Sequence, residues 1–182
     1  MAETTSTTAG AEVLKARIRH VPDFPKAGIL FYDITTLLRE REGFKAVIDS
    51  LSRPFLDSRI DVVVGIESRG FIIGGAVADR IGAGFIPIRK PGKLPSATLR
   101  QSFDLEYGSD SLEIHEDAIG RGQRVLVVDD VLATGGTAAA AASLVTRLGG
   151  DLRGLAFLIE LAALAGRARI ASHGEVFSVL TY

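Results

Sequence analysis

Apolar residues follow two alternating patterns along this chain. Short apolar runs without polar alternation are typical of strands that are covered on both faces. Such runs predict strands at Asp61–Ile66, Gly84–Ile88, Val125–Val128, Leu152–Ile159 and Val176–Leu180. Between them, apolar residues at helical spacing predict helices at Ala11–Arg19, Phe44–Leu56, Arg69–Ile81, Thr137–Leu148 and Ala163–Ile170.

This alternation predicts an α/β fold with a mainly parallel central sheet and helices on both faces. One segment interrupts it. Between Arg89 and Gly108, prolines and glycines break any regular element. We interpret this segment as a long functional loop with hairpin character rather than as a linker between domains.

Composition indicates one domain with one core. The chain has 182 residues, and its hydrophobic content of 47% is ordinary for a globular protein. We expect a single domain over residues 11–182. Residues 1–10 are rich in Thr and Ala, and we expect them to form a loose tail.

Charge and residue usage argue against several classes of partner. A net charge of −1 gives no broad electrostatic reason to expect nucleic acid or an acidic membrane surface. No apolar run reaches the ~18 residues of a membrane helix, and no signal peptide is visible. The absence of cysteine excludes disulfides and thiolate zinc sites and is compatible with a cytoplasmic enzyme.

The most informative motif is VLVVDDVLATGGT, from Val125 to Thr137. Asp129 and Asp130 follow the predicted strand, and we expect them to emerge where it leaves the core. Gly135 and Gly136 lack Cβ atoms, so that successive backbone N–H groups can converge on an anion. The helix that follows points its positive end at the same place, which predicts a phosphate site at the carboxyl edge of the sheet.

Plainer interpretations of this motif remain open. Two adjacent aspartates can form a solvated turn, and two glycines can serve only a tight chain reversal. The motif differs from other nucleotide loops, because no Lys follows the glycines and no G-x-G-x-x-G follows a strand. A carboxylate pair beside a phosphate site would suit a sugar phosphate, since ribose hydroxyls need acceptors and the phosphate needs donors.

Two further segments place cations after predicted strands. In GIESRGF, Ser68 and Arg69 precede another helix start, and Arg can donate two parallel hydrogen bonds to a phosphate. Arg89, Lys90 and Lys93 follow the next strand, which places them at the same sheet edge. The alternatives are a surface arginine that caps a loop and a solvated basic loop.

The motif at Val125–Thr137 resembles the phosphoribosyl pyrophosphate-binding signature of the type I phosphoribosyltransferases. Other segments, in unbroken order to the C-terminus, are similar to those of the adenine-using members of that family. They are VPDFPKAGILFYDIT in the hood, GIESRGF in the pyrophosphate loop, IRKPGKLP in the basic loop and SFDLEYGSDSLEIHEDAI in the mobile loop and return strand. The resemblance implies a type I phosphoribosyltransferase fold, with a small N-terminal hood over about residues 21–36 and a mobile loop over about residues 91–110.

The resemblance also implies a donor site. Asp129 and Asp130 would fix the ribose and a magnesium-bound water, with Mg²⁺ held mainly by the substrate and not directly by the protein. The donor 5′-phosphate would lie on Ala133, Thr134, Gly135, Gly136 and Thr137. The pyrophosphate would lie on Ser68, Arg69, Arg89, Lys90 and Lys93. The Glu67–Ser68 peptide is often cis in this family.

For the base, the resemblance implies contacts with the hood. Leu30, Phe31 and Tyr32 would bind it, although Phe31 as ordinary core is an open alternative. Tyr32 stands where many members of the family have arginine. This difference puts in doubt any role for a cation beside the base. Glu106 would control the proton on the base, and Tyr107 belongs to the loop that closes over the substrates.

The implied reaction converts adenine and 5-phosphoribosyl 1-pyrophosphate to AMP and pyrophosphate. Another purine or a xanthine phosphoribosyltransferase is an alternative, because the hood alone decides the base. A regulatory nucleotide-binding protein of the same fold is a second alternative, although the few residues before Val21 carry no strong basic patch.

The family usually works as a homodimer. The apolar segment Phe71–Ala78 would then lie at the interface, so that Arg89 reaches the neighbouring site, or else it is a helix buried inside the monomer.

Overall fold

The computed structural model describes residues 10–104 and 108–182. The chain divides into two compact units, one ending at Ser50 and one running from Leu51 to Tyr182. The expectation of a single domain over residues 11–182 stays a prediction. Among the described residues, none of the helices has the length and apolar character needed to cross a membrane.

The first unit contains the predicted hood. Helix α1 covers residues 10–15, and strands β1 (Arg19–Pro22) and β2 (Leu30–Asp33) form an antiparallel ribbon. Helices α2 (Thr35–Leu38) and α3 (Arg41–Ser52) follow. The prediction that the first helix continues to Arg19 was wrong, because Arg19 pairs with Asp33 in the ribbon.

The second unit is built on a five-stranded parallel sheet in the order β4-β3-β7-β8-β9, which confirms the predicted α/β class. Its strands are β3 (Val62–Ile66), β4 (Gly84–Ile88), β7 (Arg124–Leu132), β8 (Asp151–Glu160) and β9 (Val176–Thr181). The remaining strands, β5 (Thr98–Asp104) and β6 (Ser109–His115), pair antiparallel. Its helices are α4 (Arg69–Ile81), α5 (Gly136–Arg147) and α6 (Gly166–Ile170), with short 3₁₀ turns at Arg53–Phe55 and Ala162–Leu164.

The β5–β6 pair accounts for the hairpin character of the segment that breaks the alternation. Strand β5 is seven residues long, so that regular pairing extends further than the prolines and glycines indicated. Phe103 is buried near the end of β5, and Leu112 and Ile114 of β6 are fully covered. The hairpin is therefore part of the hydrophobic core, and residues 105–107 lie outside the described residues.

Small residues allow helix α4 to lie close to the sheet. A Cβ atom on Gly74 would lie 3.1 Å from the Phe85 ring and 3.4 Å from the Gly65 Cα. The helix buries Ile73 and Val77 but leaves Ile72 54% exposed. The alternative that Phe71–Ala78 is wholly buried inside the monomer is therefore wrong.

An ion pair joins the amino ends of β3 and β7. Arg124 donates to the Asp61 carboxylate from its backbone N at 2.8 Å, from Nε at 2.9 Å and from Nη2 at 2.6 Å. The side-chain and then the backbone hydrogen bonds from Arg124 lower the pKa of Asp61 to about 2. The ionised carboxylate is thus favoured by the folded state.

We expect Asp61→Asn to destabilise the protein at neutral pH but to lose its effect in acid. An unfolded Asp takes up its proton near pH 3.8 and the folded Asp61 only near pH 2, so the ion pair contributes fully above pH 4 and is lost as the pH falls towards 2. Urea unfolding of both proteins at pH 6, 4 and 3 measures this directly. A stability difference that does not shrink below pH 4 would contradict the assignment.

Candidate active site at the carboxyl edge of the sheet

A polar cavity of about 290 Å³ lies at the carboxyl ends of β3 and β7. These strands are adjacent and parallel, with Gly65 opposite Val128, so the residues that follow each strand meet at one edge. The residues that line the cavity are Ile66, Glu67, Ser68, Arg69, Lys90, Leu112, Asp129, Asp130 and Thr137. The structure therefore brings together the predicted acid pair, part of the predicted pyrophosphate loop and one residue of the basic loop.

Asp129 and Asp130 lie inside strand β7 and not beyond its end. The prediction that the strand ends at Val128 was wrong, because the ladder with β8 continues through Val131 and Leu132. Both carboxylates are consequently buried, at 9% and 6% exposure. This burial also contradicts the alternative of a solvated turn.

The two carboxylates differ in their surroundings. Burial, followed by repulsion from Asp130, raises the pKa of Asp129 well above its usual range. Asp129 Oδ1 accepts a hydrogen bond from the Asp130 backbone N at 2.9 Å. Asp130 Oδ2 lies 2.5 Å from Arg69 Nε, although it has no partner of good hydrogen-bond geometry within the described part of the chain. The pair thus combines a buried carboxyl whose pKa is raised with one that faces a cation.

Arg69 reaches Asp130 because α4 begins close to β7. The Glu67–Ser68 peptide is cis, as the family resemblance implied, and Ser68 stands at the N-cap of α4. A Cβ atom on Gly70 would lie 2.7 Å from Asp129 Oδ1 and 3.2 Å from the Val128 carbonyl oxygen. A side chain at this position would displace the Asp129 carboxyl and crowd the Val128 carbonyl oxygen.

The segment Ala133–Thr137 forms the turn between β7 and α5. Gly135 stands at the N-cap with a positive φ of 80°, and a shallow cavity of about 60 Å³ is lined by residues 131–138. The positive end of α5 therefore lies beside this cavity, and the phosphate site that the sequence indicated there stays a prediction. Helix α5 begins at Gly136, one residue before the predicted start.

Helix α6 packs against this turn. Sequence patterns did not predict this contact. A Cβ atom on Gly166 would lie only 2.1 Å from the Ala133 carbonyl oxygen, and one on Gly135 would lie 2.7 Å from the Gly166 carbonyl oxygen. The two backbones can approach so closely because both residues are glycines. Arg169 follows in the same helix, and its Nη1 would lie 3.4 Å from a Cβ atom on Gly136.

The basic loop Arg89–Lys93 is held by carboxylates that the sequence analysis missed. Arg89 donates to both oxygens of Glu67, from Nη2 at 3.0 Å and Nε at 3.1 Å. The Lys90 ammonium pairs with Asp110. The exposed Lys93 is near enough for its charge to help lower the pKa of Glu67, for which the Arg89 hydrogen bonds are the largest cause. Arg89 and Lys93 do not line the cavity, whereas Lys90 does.

The predicted base-binding residues lie on β2 in the first unit. Leu30 is 43% exposed, while Phe31 and Tyr32 are half-buried. Phe31 packs edge-to-face on Phe24 with ring centroids 5.1 Å apart. Glu106 and Tyr107 lie outside the described residues, so their roles stay predictions.

Comparison with known proteins agrees with this geometry. The family model of the phosphoribosyl transferase domain matches residues 33–175. The adenine phosphoribosyltransferase of Acidobacterium capsulatum is 58% identical over 175 residues, which cover 96% of each chain.

Solved structures agree as well. The crystal structure of adenine phosphoribosyltransferase from Rhodothermus marinus has a TM-score of 0.92 and 53% identity, covering 96% of this chain and 99% of its own. The enzyme from Saccharomyces cerevisiae, complexed with an imino-altritol bisphosphate and adenine, has a TM-score of 0.89 and 41% identity over 94% of this chain and 99% of its own.

The shared sequence extends over nearly the whole chain and includes both the sheet and the loops at its carboxyl edge. Its α/β architecture is the type I phosphoribosyltransferase fold. The chain therefore belongs to the phosphoribosyltransferase family, and within it to the adenine phosphoribosyltransferases, which form AMP and pyrophosphate from adenine and 5-phosphoribosyl 1-pyrophosphate.

Proposed function

We propose that the adenine phosphoribosyltransferase reaction of this chain takes place at the cavity between the carboxyl ends of β3 and β7. The observation that carries this proposal is the contact of Arg69 with Asp130, which joins the pyrophosphate loop to the acid pair at 2.5 Å. A donor molecule placed there has cations at one end, carboxylates at its ribose and an amide-lined turn at its 5′-phosphate.

The turn at Ala133–Thr137 would bind the 5′-phosphate. Its backbone N–H groups and the positive end of α5 favour a dianion, and the Thr134 and Thr137 hydroxyls add donors. At the other end, Ser68, Arg69, Lys90, Arg89 and Lys93 would bind the pyrophosphate. Arginine and lysine suit this task because they stabilise the charge that develops on the leaving group.

Asp129 and Asp130 would hold the ribose between these ends. The Asp129 carboxyl, whose pKa is raised first by its burial, would contact one ribose hydroxyl. Asp130, held beside Arg69, would accept a hydrogen bond from another. The two acids together would position the C1 carbon for attack by the base.

The same carboxylates fit a magnesium ion that arrives with the donor. Hard oxygen ligands suit Mg²⁺, which usually keeps several waters and binds through one or two carboxylates plus substrate phosphates. Asp129 and Asp130 would hold a water bound to that ion, which the donor itself would carry. When bound, Mg²⁺ neutralises charge on the pyrophosphate leaving group.

For the base, Leu30, Phe31 and Tyr32 of the hood would supply contacts. The presence of adenine in the yeast relative supports adenine as the ligand rather than another purine or xanthine. Stacking on the Phe31 ring would contribute about 1–3 kcal/mol, by analogy with bases stacked on aromatic side chains elsewhere. Glu106 would control the proton on the base, and Tyr107 would belong to the closing loop.

We also propose that the enzyme is a homodimer. Ile72 on α4 is 54% exposed and Phe85 on β4 is 37% exposed, and Phe85 packs against Phe71 with ring centroids 6.0 Å apart. These side chains form an apolar surface beside the pyrophosphate loop, and a second copy of the chain would cover this surface.

A cytoplasmic location is also proposed, supported by the absence of cysteine.

The 5′-phosphate site is tested by Gly136→Val. A Cβ atom at this position would lie 3.1 Å from the Phe103 ring and 3.4 Å from the Asp104 carbonyl oxygen, so the added side chain crowds the turn. We expect a folded protein that no longer binds AMP in isothermal titration calorimetry. Gly120→Val, where the Cβ meets only the flexible Gln123 side chain, is the matched control. Binding of AMP to Gly136→Val at wild-type affinity would reject the site.

The role of Glu106 is tested by Glu106→Gln. We expect turnover of adenine to fall by roughly ten- to a thousandfold, because general acid–base catalysis contributes factors of that order. The affinity for AMP should change much less, since the amide keeps the size of the carboxylate. Glu116→Gln, outside the proposed site, is the control. A Glu106→Gln enzyme as fast as the parent would exclude an acid–base role.

The dimer is tested by Ile72→Lys. A charge in the middle of an apolar interface is left desolvated and unpaired, so we expect this variant to sediment as a single 19.3 kDa chain. The wild type should sediment at twice that mass at micromolar concentration. Leu56→Lys, which alters another exposed apolar side chain, should leave the dimer intact. A monomeric wild type that retains activity would overturn the proposal.

A further inference from the structure

The basic loop is fastened through the side chain of Glu67, which has no assigned part in substrate binding. Both carboxylate oxygens of Glu67 accept from the Arg89 guanidinium, at 3.0 and 3.1 Å. Oε2 also accepts from the Lys90 backbone N at 3.1 Å. The Glu67 carboxylate therefore holds the first two residues of the loop at once.

Arg89 carries this constraint to the far end of the loop. Its Nη1 donates to the Lys93 carbonyl oxygen at 3.0 Å, and its guanidinium lies 5.9 Å from the centre of the Phe71 ring. On the other side, the Gly92 backbone N donates to Glu113 Oε2 at 2.9 Å. The backbone groups of Arg89 and Glu113 also exchange hydrogen bonds, at 2.9 and 2.8 Å. The loop is thus held by the carboxylates of Glu67 and Glu113, in addition to the pairing of Lys90 with Asp110.

A carboxylate next to a site for pyrophosphate is unfavourable unless its charge is matched. Arg89 matches it here, because the bidentate pair is neutral as a whole. Three of the five guanidinium N–H groups are used in the contacts described above, and two have no partner within the described residues. Arg89 can therefore remain paired with Glu67 while it donates to a phosphate oxygen.

We propose that Glu67 is the positioning residue of the pyrophosphate site: it orients Arg89 and the Lys90 amide so that the basic loop is preformed for the leaving group. This inference rests on the proposed location of the pyrophosphate at the basic loop. Glu67 does not touch the reacting atoms. It acts through the cations, so its loss affects ligands that contain a pyrophosphate and spares ligands that lack one.

The test compares Glu67→Gln with the wild type in three binding measurements. We expect the KM for 5-phosphoribosyl 1-pyrophosphate and the inhibition constant of pyrophosphate to rise roughly ten- to a hundredfold, the range of a lost hydrogen bond to a charged group. The dissociation constant of AMP should stay within about twofold, because AMP lacks the pyrophosphate. Glu67→Asp keeps the charge and should recover part of the donor affinity.

The chain offers a matched control. Asp61 accepts a bidentate pair and a backbone N–H from Arg124, the same arrangement as Glu67 but at the opposite, amino edge of the sheet. Asp61→Asn should lower the Tm without a change in the KM for 5-phosphoribosyl 1-pyrophosphate or in the inhibition constant of pyrophosphate. The loss of donor binding free energy in Arg89→Gln combined with Glu67→Gln should be smaller than the sum of the two single losses, since Glu67 acts largely through Arg89.

The outcomes separate this inference from the proposed donor site. If Glu67→Gln weakens the binding of AMP as much as the binding of pyrophosphate, or weakens the binding of neither ligand, Glu67 is not a positioning residue. If Glu67→Gln lowers only the Tm, as Asp61→Asn does, its role is structural and the inference is overturned. If the wild type itself does not bind pyrophosphate competitively with the donor, the proposed donor site fails and the inference fails with it.

Discussion

The close approach of helix α4 to strand β7 is the constraint on which the site depends. The missing Cβ of Gly70 leaves space for the Asp129 carboxyl and the Val128 carbonyl. A Cβ atom on Gly65 would lie 2.9 Å from the Gly70 carbonyl oxygen, so Gly65 also allows this approach. With a larger residue at either position, the start of α4 would be displaced from the sheet. Arg69 would then not reach Asp130, and the pyrophosphate loop would lose its contact with the acid pair.

Three ion pairs hold cations of the proposed donor site. Arg69 faces Asp130, Arg89 is held by Glu67, and Lys90 pairs with Asp110. Pairing fixes the cations before the donor binds, so that little reorganisation accompanies the development of charge on the leaving group. It also limits the excess positive charge of the site, which is consistent with the proposal that the donor carries Mg²⁺.

Most of the fold could be predicted from hydrophobic patterning. The boundaries of α4 and β4 agree with the pattern to the residue, because both elements bury a continuous apolar side. The errors occur where tertiary pairing overrides local pattern. Strand β7 continues through two aspartates because β8 offers a ladder up to Glu160, and α1 stops early because β1 pairs with β2.

The sequence by itself determined the ordered motifs, and with them the family, because phosphate binding requires glycines, hydroxyls and cations at fixed spacing after buried strands. Only the tertiary structure decided which charges are partners. Glu67 and Arg89 are 22 residues apart, and neither Gly166 nor Arg169 carries a local signal of its approach to the turn at Ala133–Thr137. Such contacts depend on the packing of whole elements. Side chains that pair across such a sequence separation produce no periodic pattern in the sequence.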